Sequence, residues 1–549
     1  MSYGGQYPPP QGPPPNAYNQ GYGAPPQGYG APPHNNAPYG QQPYGDPAFN
    51  NNNNYGVPPT SGAYTHQGYA NIPDGPSGPK PPTQMEYGGG GEKPTFEQAF
   101  QVQRPKWNDL WAGILFILVF LGFAAVSGIA IAAYVKAPGH NGGSKASTPN
   151  LGLTTETIYL FVYVLALAFV LSWVYLMLAR MFTKQFIWIT GILNIAFGVA
   201  TCAYMLYRKQ YVGGIIFGVF VIFLIIAFIS WIPRIPFSAL MLKTAIDVAK
   251  NYGHVFIVSA VGGLIATLFA AWYAVTLVAV YVKWAPTGNA SWATVGGIIF
   301  FITFAGYWIT EWLKNTIHTT ICGVYGAWYF NINNYPSNAT RGALRRSLTY
   351  SFGSISLGSL IVALINLLKT IIDAAGRQAA SEGDILGMVM ACFAGCLVSM
   401  LQWVAEFVNR YAFAHIALYG KAYFQAAKDT WKMIKDRGID ALVNECLVGP
   451  VLSFGCLFVG YACALLAYVY LILAKPDFNT KGDFTGVILA FAFLIGLQIC
   501  AVFTTPLSSG IDAIFVAAAW DPEVMMRDHP ALYHSMVQVY PQVQEAIHA

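Results

Sequence analysis

The sequence predicts an all-α, polytopic integral membrane protein with about ten transmembrane helices and a disordered N-terminal tail. Three observations carry that reading. Ten separate apolar stretches fill residues 109–520, and each is long enough to cross a bilayer, which takes about 20 mostly apolar residues as a helix. Charged residues make up 10% of the 549, against about 25% in soluble proteins, and the mean hydropathy is +0.44. Residues 1–95 have an unrelated composition rich in Pro, Gly, Tyr, Gln and Asn.

That first segment contains near-repeats (Tyr22-Gly-Ala-Pro-Pro, Tyr29-Gly-Ala-Pro-Pro) and an asparagine run at 50–54. Up to Gly90 it holds no leucine, one valine (Val57) and one isoleucine (Ile72). Such a chain buries too little apolar surface to offset its ordering entropy, so it is expected to be disordered and cytosolic. Self-association or binding of cytosolic partners stays open beside the plainer reading of a solvated tail. The polar N-terminus carries no cleavable signal pattern, so the first span is expected to act as the signal anchor.

The spans read as 109–134, 155–179, 186–206, 212–232, 254–282, 293–329, 351–375, 386–419, 446–474 and 484–520. They define a transporter domain over 96–520 and a short cytosolic C-terminal tail over 521–549. Ten spans place both termini on one side. With the N-terminus inside, inner segments carry 17 Lys and Arg and outer loops 9, the bias of N-in, C-in topology. Under that topology the sequon at Asn289 faces outward as a candidate glycosylation site, whereas Asn338-Ala-Thr lies inside. Two inner connections, 236–252 and 420–444, mix apolar and charged residues at helical spacing. Lys428, Lys432 and Lys435 with Ala427, Trp431 and Ile434 suggest a helix on the membrane surface or an ordinary solvated one.

Ionisable groups at bilayer depth are costly and usually face a cavity or a partner. In the sixth span Trp308, Glu311, Trp312, Asn315 and His318 fall at i, i+3, i+4, i+7 and i+10, one polar and aromatic stripe. A carboxylate between indoles suits an organic cation, because π faces hold a quaternary ammonium that cannot donate a hydrogen bond. The plainer alternative pairs Glu311 with Lys314 and packs the tryptophans. The eighth span offers Trp403, Glu406, Arg410 and His415, with Glu406 and Arg410 spaced for an intrahelical ion pair. The tenth span is interrupted at 504–510, where Pro506 and Gly510 are expected to break the helix beside Ser508, Ser509 and Asp512, the plainer alternatives being a simple kink or a helix that exits into the cytosol. Small residues at 353–360 predict close helix packing.

Absences narrow the function. There is no phosphate loop, metalloprotease motif, nucleophile elbow or Cys/His metal spacing, so no cofactor, no metal and no enzymatic role is expected. The eight cysteines lie in or beside the apolar spans and give no disulfide framework. A net charge of +5, scattered along the chain, does not suit a nucleic-acid binder.

Four stretches carry a family resemblance: Asn409-Arg-Tyr-Ala-Phe-Ala-His-Ile-Ala-Leu-Tyr-Gly-Lys, Gly323-Val-Tyr-Gly-Ala-Trp-Tyr-Phe, the 353–360 motif, and Ser509-Gly-Ile-Asp-Ala-Ile-Phe-Val followed by Trp520-Asp-Pro-Glu. They resemble the choline transporter-like family, and the polar tail and short connection 135–154 look like its fungal branch of pH-nine-sensitive proteins. The resemblance implies ten transmembrane helices, cytosolic termini, a plasma-membrane location and facilitated movement of choline or a related organic cation. Asn315, Tyr411, Gly420, Ser509 and Asp512 match its motifs.

These readings converge on a facilitative or secondary transporter for a choline-like small molecule, embedded in membrane lipids. The candidate substrate site is Trp308, Glu311, Trp312, Asn315, Trp403, Glu406, Ser508, Ser509 and Asp512. Two alternatives stay open: a non-transporting membrane organiser or stress-response component working through the disordered tail, and an ion channel.

Overall fold

In the computed structural model, residues 106–136, 155–284, 292–437, 446–476, 479 and 485–541 are described. The tail 1–95, the connection 137–154 and Asn289 lie outside them. The described residues are helical, with no strand among them. In chain order the helices are α1 Leu110–Lys136, α2 Thr155–Met181, α3 Thr183–Tyr207, α4 Tyr211–Trp231, α5 Ile235–Asn251, α6 Val255–Trp284, α7 Trp292–Phe330 and α8 Ala339–Leu348. They continue as α9 Phe352–Glu382, α10 Ile385–Tyr419, α11 Tyr423–Arg437, α12 Val448–Ala474, α13 Thr485–Trp520, α14 Pro522–Asp528 and α15 Pro530–Val539. Ten segments are long and apolar enough to cross a membrane, at the ten places the sequence predicts; α4 and α5 run together as one of them, Tyr211–Asn251.

Because successive spans alternate in direction, α5, α8, α11, α14 and α15 all gather at one end of the bundle. This end is a true hydrophobic core. Phe237, Met241, Leu242 and Ala245 of α5 are buried with Tyr325 and Tyr329 of α7 and Phe515 of α13. Outside the bilayer such burial is driven by water, at about 1.5–3 kcal/mol per large apolar side chain. Between the spans that force is absent, and close backbone approach replaces it. Gly353 shows this: a methyl there would run into the backbone oxygens of Asn108 and Asp109. The small-residue stretch at 353–360 therefore packs as expected, with Ser354, Ser356 and Ser359 fully buried.

One sequence expectation needs correction. The tenth span is not interrupted: α13 continues through Pro506. A proline cannot donate to the carbonyl four residues earlier, here Val502 O. Ser259 Oγ of α6 takes that role at 2.5 Å, so the helix loses no partner and need not break. Within the expected C-terminal tail, residues 522–528 and 530–539 form the two helices α14 and α15. The α14–α15 pair buries Met525 and Met536 in the main core, and His529 lies 4.3 Å from the Trp328 ring with its Nε2–H on Tyr329 O at 2.9 Å.

Candidate functional site

The α7 stripe is about 120° wide at 100° per residue, wider than one helix–helix contact, so the fold divides it between two interfaces. Trp308, Trp312 and Asn315 face α1 and α9. Trp308 is fully buried, donates from Nε1 to Ser356 O at 2.9 Å and packs edge-on against Phe116 at 5.4 Å. Trp312 packs on Phe116 at 4.9 Å and on Phe352 at 5.5 Å, while its Nε1 has no hydrogen-bond partner among the described residues. Asn315 Nδ2 donates to Ser359 Oγ at 2.9 Å. These three residues do not line an open surface in this conformation. The ring contacts and hydrogen bonds of Trp308 and Trp312 run to α1 and α9, and Trp312 also packs on the cluster that holds Ala412, Phe413 and Ile416 of α10.

Glu311 and His318 face the other way, toward α10 and α13. His318 Nε2 lies 2.9 Å from Arg410 O, a carbonyl that only accepts, so Nε2 carries the hydrogen. In the neutral ring Nδ1 then accepts from Ser509 Oγ, also at 2.9 Å. One imidazole thus ties the sixth, eighth and tenth spans together. Cys322, one turn below, donates to Ser509 O at 3.3 Å. The sequence placed His318 in the stripe but not in the site; its i+7 offset from Glu311 was the available signal.

The predicted Glu406–Arg410 pair does not form. Arg410 Nε reaches across to Asp512 Oδ2 at 3.8 Å, with the Arg410 side chain 52% exposed and Asp512 9%. Glu406 accepts from Gln402 Nε2 at 2.9 Å, and Lys369 Nζ reaches Gln402 Oε1 at 3.4 Å. Among the described residues Glu406 makes no ion pair. Glu311 and Glu406 lie close enough to interact electrostatically. Glu311 pairs with Lys314 at 3.5 Å, and the Lys314 side chain is 60% exposed.

Trp403 is exposed and starts an aromatic ladder down α10: Trp403 stacks on Phe407 at 5.7 Å, and Phe407 meets buried Tyr411 at 5.2 Å. Glu406 and Arg410 flank this ladder. Ser508 donates to Thr505 O at 3.1 Å within its own helix and touches none of the other candidates by hydrogen bond. Two cavities lie elsewhere. One of about 370 Å³ sits among apolar residues of α2, α3 and α12, and one of about 480 Å³ lies between α9 and α10 near Asp373 and Arg377. Neither contains a predicted site residue.

The helix ends below this cluster are tied down. Tyr419 OH donates to Asp521 Oδ2 at 2.6 Å. Lys421 Nζ lies 2.9 Å from Asp429 Oδ2 and 4.0 Å from the Trp520 ring centroid. Burial pushes the Lys421 ammonium below the usual lysine range, opposed by the Asp429 carboxylate. Among the described residues no cluster of His, Cys, Asp or Glu is arranged to hold a metal.

Ten apolar spans around a polar junction of three helices define a multi-pass membrane protein of the transporter class. Residues 215–523 match the family described as plasma-membrane choline transporter. The chain is 59% identical to Protein PNS1 of Neurospora crassa, over 93% of each chain. It is 58% identical to Protein PNS1 of Gibberella zeae, over 83% of this chain and 86% of that one. A more distant relative, Protein PNS1 of Yarrowia lipolytica, is 41% identical over 82% of each. The chain belongs to the plasma-membrane choline transporter family.

Proposed function

We propose that the protein carries choline or a related organic cation across the plasma membrane by facilitated or secondary transport, with both termini cytosolic. The observation that supports this most is Glu406. It makes no ion pair among the described residues, and it is set along a membrane-spanning helix three residues from exposed Trp403. An ionisable group at that depth faces a polar cleft or a ligand. Glu406 and Glu311 together supply attraction, and Trp403 with Phe407 supplies a π surface of the kind quaternary ammonium groups prefer. Lys314 bonds Glu311 at 3.5 Å, and in this reading an arriving cation takes its place. Arg410 makes its ion pair with Asp512 rather than with Glu406, although the two helix neighbours still interact electrostatically. Trp308, Trp312 and Asn315 act at one remove in this reading: they fix the α7 register against α1 and α9. His318 and Ser509 join the three spans that must move relative to one another.

The test is radiolabelled choline uptake into proteoliposomes holding the purified full chain, against empty vesicles. Saturable uptake blocked by other quaternary amines is expected. Glu406→Gln should lower it at least about tenfold, since a charge-assisted contact contributes about 1.5–3 kcal/mol. Absence of uptake by folded protein would remove choline as substrate. Unchanged uptake in Glu406→Gln would remove this site.

A further inference from the structure

The helix α11 joins two membrane spans on the same side of the bundle, so it lies at the bilayer surface. Three residues separate it from the end of α10, beginning with a turn at Gly420 (φ 64°), and the chain re-enters the bundle at Val448. One side of it is closed against the protein: Tyr423, Ala426, Thr430 and Met433 are buried.

The other side is occupied by large and charged residues. Phe424 is 64% exposed and Trp431 58%, and Lys428, Lys432 and Lys435 are exposed beside them. Positions 424, 428, 431 and 435 recur at i, i+4, i+7 and i+11, so two aromatics and two lysines form one line, with Lys432 next to it. The three lysines make no ion pair among the described residues. Asp429 of the same helix is turned inward and held by Lys421 at 2.9 Å. Among the described residues, the stripe therefore presents positive charge and aromatic rings that no ion pair neutralises. Aromatic rings flanked by lysines match a headgroup layer: the rings sit at the apolar boundary, and the ammonium groups reach anionic phosphates and carboxylates.

We propose that this outward stripe of α11 is a docking surface for anionic phospholipid headgroups of the membrane in which the protein sits. Its grip is passed inward. The Tyr423 amide donates to Asp109 Oδ2 at 2.8 Å, and the Tyr423 hydroxyl donates to Asn409 Oδ1, so a lipid-held α11 anchors the start of α1 and the last turns of α10. Basic residues alone would give nonspecific attraction; the interleaved Phe424 and Trp431 make it a seated contact.

The test is hydrogen exchange of the full chain in nanodiscs of phosphatidylcholine, with and without about one-fifth phosphatidylserine. Exchange across 423–437 should slow about tenfold with phosphatidylserine and recover at high salt. The effect should vanish in Lys428→Gln/Lys432→Gln/Lys435→Gln and persist in the triple Lys→Arg variant, with α9 exchange unchanged as the folding control. Equal exchange in both discs would overturn the proposal, as would a lipid response retained by the triple Gln variant. Slowing by soluble polyglutamate in neutral discs, without slowing by phosphatidylserine, would also overturn it and assign the stripe to an acidic protein.

Discussion

Asp109 and Tyr423, 314 residues apart, are joined by a hydrogen bond of 2.8 Å from the Tyr423 amide to Asp109 Oδ2. The same oxygen accepts from Ser354 Oγ at 2.6 Å, and Asn108 Nδ2 donates to Gly420 O at 2.8 Å. The start of α1 thereby clamps the start of α9 and the α10–α11 turn. Asp109 sits at φ 52°, a left-handed conformation that aspartate tolerates better than most residues. Asp109→Ala leaves a partly buried amide and hydroxyl unsatisfied and should cost about 1–3 kcal/mol. A thermal melt of the purified protein should show a lower midpoint for Asp109→Ala, with most of the loss recovered in Asp109→Asn. Equal melting of Asp109→Ala and wild type would show that the clamp contributes nothing.

Ser259 and Pro506 should be coupled. Ser259→Ala removes the donor to Val502 O and should destabilise by about 1 kcal/mol. In a Pro506→Ala background residue 506 regains an amide that bonds Val502 O, so the same Ser259 change should cost close to nothing. A double-mutant cycle by chemical denaturation measures this, and additive effects would contradict the account.

Gly510 lies under the Tyr325 ring so closely that an added Cβ would overlap it, and Tyr325 OH continues past to Ala245 O at 2.7 Å. Gly510→Ala should therefore overpack the contact by about 1–3 kcal/mol and lower the folded yield. Tyr325→Phe alone should cost about 1 kcal/mol for the lost bond. Adding Tyr325→Ala to Gly510→Ala should restore room, so the double variant should fall less than the sum of the singles in size-exclusion yield.

Burial pushes His529 below the usual histidine range, opposed by its bond to Tyr329 O and by Asp528. A depressed folded value means the unfolded state binds more protons in the interval between the two values. The stabilisation is therefore complete above about 6.5 and lost as pH falls through the folded value. Exchange across 522–539, corrected for intrinsic rates, should accelerate at pH 5 relative to pH 7.5, while α9 stays constant. His529→Gln should flatten the dependence. A pH-independent profile in the wild type would remove His529 as its cause.

The fold was legible in the sequence to within a few residues at most span ends. Bilayer thickness imposes long apolar runs, and no tertiary contact is needed to read them. Helices at 236–252 and 420–444 were legible from periodicity too, although only the structure shows α5 buried and α11 half-covered. The site was legible as a set of spans rather than as a set of contacts. The sixth, eighth and tenth spans do meet, at His318, Arg410 and Ser509. Which side of the α7 stripe each residue serves was not readable, because helical spacing gives an angle around the axis and not the identity of the neighbour at that angle.

What the sequence by itself determined is therefore the membrane class, the ten spans, the basic end and the residue types available for a cation. Hydropathy and charge act locally along the chain and need no partner to be read. Tertiary structure alone decided that Trp308 is core, that Arg410 chooses Asp512 over Glu406, that α13 survives Pro506 through a serine on α6, and that the last two helices fold back. Each of those depends on a contact between residues far apart in the chain, whose geometry is set by how whole helices pack.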